Sequence, residues 1–126
     1  MGQDEWDTLP QAEKAFMING SEHDILPGVW GDLPASTRAA PLSEVAAILL
    51  SLVDRGWLEV RRVEPWTAPD GRVGSGPGDL VPREQLPVVL ADPREWEYPA
   101  DPSRWAGALT LVETDAGRRI SRRSAE

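Results

Sequence analysis

The stretch from Leu42 to Val63 constrains the fold more than any other part of the sequence, because a helix, its end and a strand follow one another there without a break. Apolar residues recur every three or four positions in the first half, a spacing that predicts an amphipathic helix over 43–55. Gly56 can adopt the left-handed backbone conformation that commonly ends a helix. Alternating apolar and polar residues then predict a strand over 57–63.

A second strand, LTLVE at 109–113, is the natural partner of the first. Thr114 follows it and is suited to cap a short C-terminal helix that runs towards Ile120. The connection between the two strands, 64–106, has 43 residues. That length is too great for a structureless loop inside a compact domain, so part of the connection must fold.

The two parts of this connection differ in composition. Glycine and proline make up seven of the sixteen residues at 64–79, which predicts a flexible loop. PREQLPVVLAD at 82–92 predicts a helix, with Pro82 in its first turn and Pro87 causing a kink or a late start. The aromatic residues that follow are expected to fold back onto the core: Trp96, Tyr98 and Trp105.

The N-terminal third is predicted to contain helices as well. Apolar residues at helical spacing predict a helix over 9–18, ended by Asn19 and Gly20, which both tolerate left-handed conformations. Residues 25–33 predict a short helix or an irregular turn, because glycine and proline weaken the helical pattern there. Residues 34–41 predict a loop.

Composition bounds the class of protein. The chain has 126 residues, of which 40% are hydrophobic, enough for one compact domain with a core. The absence of cysteine excludes disulfides, thiolate metal sites and cysteine nucleophiles. The start of the chain lacks the apolar region of a secretory signal, and no apolar run approaches the ~20 residues that span a bilayer, so we expect a cytoplasmic protein without a membrane partner. Arginine outnumbers lysine twelve to one, a bias typical of a GC-rich bacterial genome.

The charge of the chain is acidic overall but unevenly placed. A formal net charge of −8 disfavours nonspecific binding to the phosphates of nucleic acids. Residues 55–63 carry three bases and one acid, and residues 102–126 carry five bases and three acids, so each segment is net +2. Positive charge therefore gathers on the predicted strands and the C-terminal tail, although solubility charge that happens to cluster explains the same pattern.

Two short motifs resemble the wing region of winged-helix regulators of the MarR and PadR type. They are Arg55-Gly56-Trp57-Leu58-Glu59-Val60 and Thr114-Asp115-Ala116-Gly117-Arg118. The resemblance covers about a third of the chain. It implies a single winged-helix-like α+β domain over 1–126, with helices packed on a small antiparallel sheet. The segment 64–106 would then be an inserted wing connection, longer than the family's and containing an extra helix, and 121–126 a disordered tail.

The family resemblance makes the helix over 43–55 the candidate reader of DNA. Its exposed face offers Glu44, Ala47, Ser51 and Asp54. None of these is the Arg, Lys, Asn or Gln whose bidentate contacts with bases are worth ~1–3 kcal/mol each. The helix is therefore expected to read bases poorly. The wing and tail are better equipped for phosphates, through Arg61, Arg62, Arg72, Arg118, Arg119, Arg122 and Arg123.

Two functions from different classes remain open. The first is a non-enzymatic regulatory or adaptor module that binds another protein, since tryptophan and arginine are favoured at interfaces. The alternative is a DNA-binding transcriptional regulator that contacts phosphates through the wing arginines. Trp66, beside the glycine- and proline-rich segment, is the tryptophan expected at the surface, whereas Trp30, Trp57 and Trp96 are expected in the core. The candidate contact residues for either partner are Arg55, Arg61, Arg62, Arg118, Arg119 and Trp66.

No catalytic, cofactor-binding or metal-ligating residue is expected. His23 is the only histidine, and its neighbours Glu22 and Asp24 do not have the spacing of metal ligands. The segment 74–76, Gly-Ser-Gly, lacks the flanking pattern of a nucleophile elbow and the lysine of a phosphate loop. The sequence thus predicts a protein without enzymatic activity or cofactors, and it leaves the oligomeric state open.

Overall fold

The computed structural model describes residues 2–67, 69–98 and 107–124, and for 2–4, 66, 67 and 122–124 it describes the backbone alone. These residues form seven helices and one antiparallel sheet of three strands, which confirms the predicted α+β class. The helices are α1 (Gly2–Thr8), α2 (Gln11–Ser21), α3 (Leu26–Asp32), α4 (Ala35–Arg38), α5 (Leu42–Asp54), α6 (Leu86–Leu90) and α7 (Asp115–Ser124). The strands are β1 (Leu58–Thr67), β2 (Val73–Leu80) and β3 (Leu109–Glu113), and two 3-10 turns, Arg83–Gln85 and Pro93–Trp96, lie before and after α6.

α5 is the helix predicted over 43–55, displaced by one residue. Pro41, rather than Ser43, occupies its N-cap position. The predicted apolar stripe faces the core, and Val45, Leu49 and Leu52 are fully buried within it. Burial of side chains of this size stabilises a fold by about 1.5–3 kcal/mol each, so this face fixes α5 against the rest of the molecule.

The end of α5 is also as predicted. Gly56 has a φ of +78°, a conformation that costs glycine little and most other residues more. The Gly56 N–H donates to the Val53 carbonyl at 2.9 Å, and the Trp57 N–H donates to the Leu52 carbonyl at 3.1 Å. This paired bonding is the Schellman arrangement, which satisfies the last carbonyls of the helix and turns the chain directly into β1.

β1 is the central strand of the sheet, and the strand order is β2-β1-β3. β3 coincides with the predicted strand and pairs antiparallel with the first half of β1, so that Leu58 lies opposite Glu113. The other edge of β3 is bridged by the residues just before α3, since Ile25 pairs with Thr110. Within the described ranges, β2 is therefore the open edge of the sheet.

The flexible loop predicted over 64–79 is wrong. β1 continues to Thr67 and pairs with β2 in a hairpin, leaving a short turn in which Gly71 has a φ of +87°. This hairpin extends beyond the end of β3, so Pro65 and Pro77 lie in a two-stranded ribbon. Proline is tolerated in such a ribbon because it removes a hydrogen bond on one side only. Pairing with β1 thus overrides the local preference of the glycines and prolines.

The extra helix predicted over 82–92 is present in the inserted connection and has a late start, as Pro87 suggested. A 3-10 turn comes first, and α6 then begins at Leu86 with Pro87 in its first turn. Leu86 and Leu90 are buried in the core. The connection is consequently anchored to the main body of the protein by its own apolar residues.

The chain ends and the α2 terminus differ from expectation. α1 was not predicted, and it packs against α7, which continues to Ser124, past Ile120.

The predicted helix end at Asn19 and Gly20 is wrong, because α2 runs to Ser21. Gly20 is buried against β1, where a Cβ would lie 2.5 Å from the Leu58 side chain. Close packing, rather than a left-handed turn, therefore explains this glycine. The predicted loop over 34–41 contains the single turn α4.

One core joins the helices to the sheet. It contains apolar side chains from α2, α3, α5, α6, β1 and β3, including Phe16, Met17, Leu26, Leu49, Leu58, Leu90 and Leu111. Trp96 closes this core at one end and is 4% exposed. α3 and the second 3-10 turn meet there, and an apolar groove lies between their outer surfaces.

Candidate functional site

The outward face of α5 carries the residues predicted from the sequence. Glu44, Ala47 and Asp54 are exposed and Ser51 is half-buried. Asp54 accepts a fork of two hydrogen bonds from Arg83, from Nε to Oδ1 at 2.6 Å and from a terminal nitrogen to Oδ2 at 3.1 Å. These hydrogen bonds hold the pKa of the Asp54 carboxyl below its ordinary value. The face therefore presents carboxylates where a base-reading helix presents amides or cations.

Arg55, at the C-terminal end of α5, turns back towards the protein. A terminal nitrogen of its guanidinium lies 2.8 Å from Glu13 Oε1 of α2. The guanidinium carbon is also 5.1 Å from the centroid of the Trp57 ring, within cation–π range. Trp57 is half-buried and packs against the core, so the predicted core position is only partly realised.

Arg61 and Arg62 contact different parts of the connection between β1 and β3. Arg61 binds Glu59 Oε1 at 3.1 Å and donates to the Gly78 carbonyl of β2 at 2.8 Å. Arg62 binds Glu95 Oε2 at 3.3 Å and donates to the Gly107 carbonyl at 2.8 Å. Successive residues of a strand point to opposite faces of the sheet, so these two arginines cannot serve one flat surface.

The remaining candidates lie near the start of α7 and at the tip of the hairpin. Arg118 pairs with Asp115 and also donates to the Glu113 carbonyl at 3.2 Å. Arg119 is exposed. Trp66 belongs to β1 and pairs with Gly74, but its side chain lies outside the described residues, as do those of Arg122 and Arg123.

The structure does not gather the candidate arginines into one cationic patch. Arg61 and Arg62 diverge from the middle of β1, whereas Arg55 and Arg118 lie at the strand's beginning, near its pairing with Glu113. Among these four, each arginine has a carboxylate partner. The local charge is therefore close to neutral at these four arginines.

A feature that the sequence analysis missed is an apolar groove of about 550 Å³ between α3 and the second 3-10 turn. Its aromatic walls are Trp30, Trp96 and Tyr98. The other lining residues are Pro27, Gly31, Ala40, Leu42, Pro93 and Glu97. A concave surface of this size, rich in aromatic side chains and with few polar groups, has the composition of a binding site.

The groove is built on a rigid aromatic base. The rings of Trp30 and Trp96 meet edge to face, with centroids 5.8 Å apart and planes at 66°. Trp96 also meets Phe16 edge to face, and its indole N–H donates to the Leu90 carbonyl at 3.0 Å. Trp96 is thus held by two aromatic contacts and a hydrogen bond, and the half-buried Trp30 packs against it as a wall of the groove.

Two features of this arrangement suit a ligand, an open space and a hydrogen-bond donor. A Cβ built on Gly31 would meet nothing within 4 Å, so the floor beside Trp30 is clear. The Trp30 indole N–H has no acceptor among the described residues, although the N–H of Trp96 has one. The groove therefore offers an apolar surface together with one unused hydrogen-bond donor.

The charge at the groove is negative. Glu97 is the charged residue among those lining it, it is exposed, and no described cation lies within ion-pair distance of it. Asp32, exposed, directly follows Gly31. The nearby Arg94 is bound by Asp92, through hydrogen bonds that lower the pKa of the Asp92 carboxyl. The rim consequently favours a ligand with a positive charge.

The sequence correctly predicted the burial of some residues that line this groove, but not of all of them. Trp96 was expected in the core and is buried, but Tyr98 was also expected to fold back onto the core and is 60% exposed. Trp30 was expected in the core and is only half-buried. Trp105 lies outside the described residues. Because α3 and the second 3-10 turn are 61 positions apart from Asp32 to Pro93, local patterns could not bring their tryptophans together.

No family model, curated protein or solved structure matches this chain. Across the ranges that the structure describes, no three His, Asp or Glu side chains form a cluster that could hold a metal ion. The same ranges contain no helix with the length and apolar character needed to cross a bilayer.

Proposed function

We propose that this protein is a non-enzymatic, winged-helix-like module that binds another protein. The order of elements supports the winged-helix part. α2, α3 and α5 correspond to the three helices, and β1 and β3 correspond to the wing strands. The bridge between Ile25 and Thr110 joins the residues before α3 to the outer edge of β3. The β2 hairpin strand and α6 then form an insertion between the wing strands.

The chemistry of α5 favours a protein partner over DNA. Its outward face has two exposed acids, and Asp54 is engaged by Arg83 of the insertion. Exposed ion pairs contribute only about 0–1 kcal/mol, so phosphates could compete for the arginines. The carboxylates would nevertheless stay beside them and repel the same phosphates. Together with a net charge of −8, this leaves little attraction for duplex DNA.

The observation that carries the proposal is the aromatic groove. Trp30 and Tyr98 expose large apolar surface beside a fixed Trp96, and tryptophan and tyrosine are the residue types that dominate the energy of protein interfaces. The groove lies between α3 and the second 3-10 turn, and none of the candidate contact arginines lines it. That turn also carries Glu95, the ion-pair partner of Arg62, so the groove is next to one of the paired arginines of β1.

The test is affinity capture of partners from the native host with matched variants. Gly31→Gln fills the groove where a side chain has open space, and replacing a helical glycine favours the helix by up to ~1 kcal/mol, so folding should be preserved. Val88→Ala is the control, since Val88 is 78% exposed and does not line the groove. We expect a partner that is captured by the wild type and by the control and is lost with Gly31→Gln.

Trp66→Ala belongs in the same experiment, because Trp66 is the partner contact that the sequence predicts. Loss of the partner with Trp66→Ala and not with Gly31→Gln would place the interface on the hairpin and would overturn the groove. A duplex DNA partner remains the alternative function. The exposed Arg119 on the basic helix α7 is the feature that favours DNA binding.

A further inference from the structure

We propose that the occupant of the groove is a proline-rich segment of the partner, in the polyproline II conformation, with a basic residue beside the prolines. This inference rests on the proposed function and names the chemistry that the same surface would recognise. Three properties of the groove support this occupant: its shape and apolar character, its hydrogen-bond donor and its charge.

The apolar part fits proline. The surface is formed by flat rings, those of Trp30, Trp96 and Tyr98, set beside Pro27 and Pro93. Aromatic-lined grooves of this kind bind polyproline II segments because such segments are already extended and lose little conformational entropy on binding. Glycine at position 31 lets the peptide backbone approach Trp30 closely, since nothing occupies that space.

The Trp30 indole N–H fits the same ligand. A polyproline II helix has no internal hydrogen bonds, and its carbonyl groups point outwards to the solvent. The Trp30 indole N–H, which no described residue accepts, can donate to one of these carbonyls. Prolines have no N–H of their own, so a proline segment can lie on the apolar rings of the groove without leaving backbone donors unpaired there.

The charge fits a basic neighbour of the prolines. Glu97 lines the groove, is exposed and has no described cationic partner, and the exposed Asp32 follows the lining residue Gly31 in α3. Arg94 does not neutralise this rim because Asp92 holds its guanidinium. A lysine or arginine next to the prolines would therefore meet Glu97 without displacing an existing ion pair.

The experiment is titration of the full chain with fluorescein-labelled oligoproline peptides, followed by fluorescence anisotropy. Three peptides are compared: oligoproline ending in arginine, oligoproline ending in glutamine, and an alanine-rich peptide ending in arginine. We expect saturable binding of the first, binding of the second that is about two- to fivefold weaker, the range of an exposed ion pair, and no binding of the third. The Trp30 indole N–H resonance in an NMR spectrum should shift on addition of the first peptide.

Three variants assign the binding to the groove. Gly31→Gln should weaken binding about thirtyfold or more, as expected when an interface anchor is blocked. Glu97→Gln should remove the difference between the arginine and glutamine peptides and leave the weaker affinity. Glu84→Gln is the matched control, since Glu84 is an exposed acid of the first 3-10 turn and does not line the groove. It should leave both affinities unchanged.

The failures of the two proposals are distinguishable. If no oligoproline peptide binds, or if Gly31→Gln binds as well as the wild type, the proline inference is wrong. If Gly31→Gln nevertheless loses a captured partner, the protein-binding function stands with a different ligand chemistry. If neither peptides nor captured partners respond to Gly31→Gln, both the inference and the groove are excluded.

Discussion

Gly117 lies directly against the backbone of Trp57, and a Cβ built on the glycine would be 2.3 Å from the Trp57 carbonyl oxygen. The same corner is fixed by Thr114, whose hydroxyl donates to the Gly56 carbonyl at 2.5 Å and accepts from the Gly117 N–H at 3.1 Å. The Thr114 N–H donates to the Trp57 carbonyl at 3.0 Å. The first turn of α7 is thus docked on the residues that join α5 to β1.

This contact predicts that Gly117→Ala destabilises the fold. The added methyl group would meet backbone atoms of Trp57, which cannot move aside as a side chain can, so part of α7 must shift. Overpacking of this kind costs about 1–3 kcal/mol in the free energy of unfolding. Urea unfolding followed by far-ultraviolet circular dichroism would measure the difference.

Gly31→Ala is the control for that measurement. It makes the same chemical change in a helix, but at a position where a Cβ has open space. The free energy of unfolding should stay the same or rise by up to ~1 kcal/mol. Equal stability of the Gly117→Ala variant and the wild type would show that α7 is not held by this contact.

Sequence alone predicted the elements whose signals are local. The apolar stripe and Gly56 predicted α5, and the run of apolar residues before Thr114 predicted β3. The T-x-x-G part of the second motif now has a physical explanation, because threonine caps α7 and only glycine fits over Trp57. Each of these signals is contained within a few consecutive residues.

The features that escaped prediction depend on contacts between distant residues. The hairpin of β1 and β2 exists because backbone pairing outweighs the glycines and prolines of its second strand. The α1 helix packs on α7, at the opposite end of the chain. The groove needs Trp30 and Trp96, which meet only after α6 has anchored the inserted connection. The ion pairs of Arg55, Arg62 and Arg83 have the same origin, since their partners Glu13, Glu95 and Asp54 come from other elements, whereas Arg61 and Arg118 pair with neighbours in their own elements.

The pair of Asp54 and Arg83 predicts a pH dependence. Hydrogen bonds from Arg83 lower the pKa of Asp54, so the folded state binds a proton less readily than the unfolded chain, whose aspartate titrates near 3.9. The pair therefore stabilises the fold above that pH, and the contribution is lost as the pH falls through the lower, folded pKa. Carboxyl-carbon NMR should show Asp54 titrating below the ordinary range, and Arg83→Gln should return it there.

Arg119→Gln provides the matched control, because it removes an exposed arginine that has no described carboxylate partner. The Asp54 titration should be unchanged in this variant. An Asp54 that titrates normally in the wild type would mean that Arg83 does not hold it in solution.

Duplex DNA binding is the function that the arginine pairs argue against. We expect no saturable change in the fluorescence anisotropy of a labelled duplex, even at low ionic strength, because Arg55, Arg61, Arg62 and Arg118 are each paired with a carboxylate. A complex that weakens steeply with added salt would contradict this, since such a slope reports the release of counterions from contacted phosphates. Two double variants, Arg61→Ala with Arg62→Ala and Arg118→Ala with Arg119→Ala, would then locate the contact on the wing or on α7. Loss of binding in the first would restore the DNA-binding regulator as the function and leave the groove as a second surface.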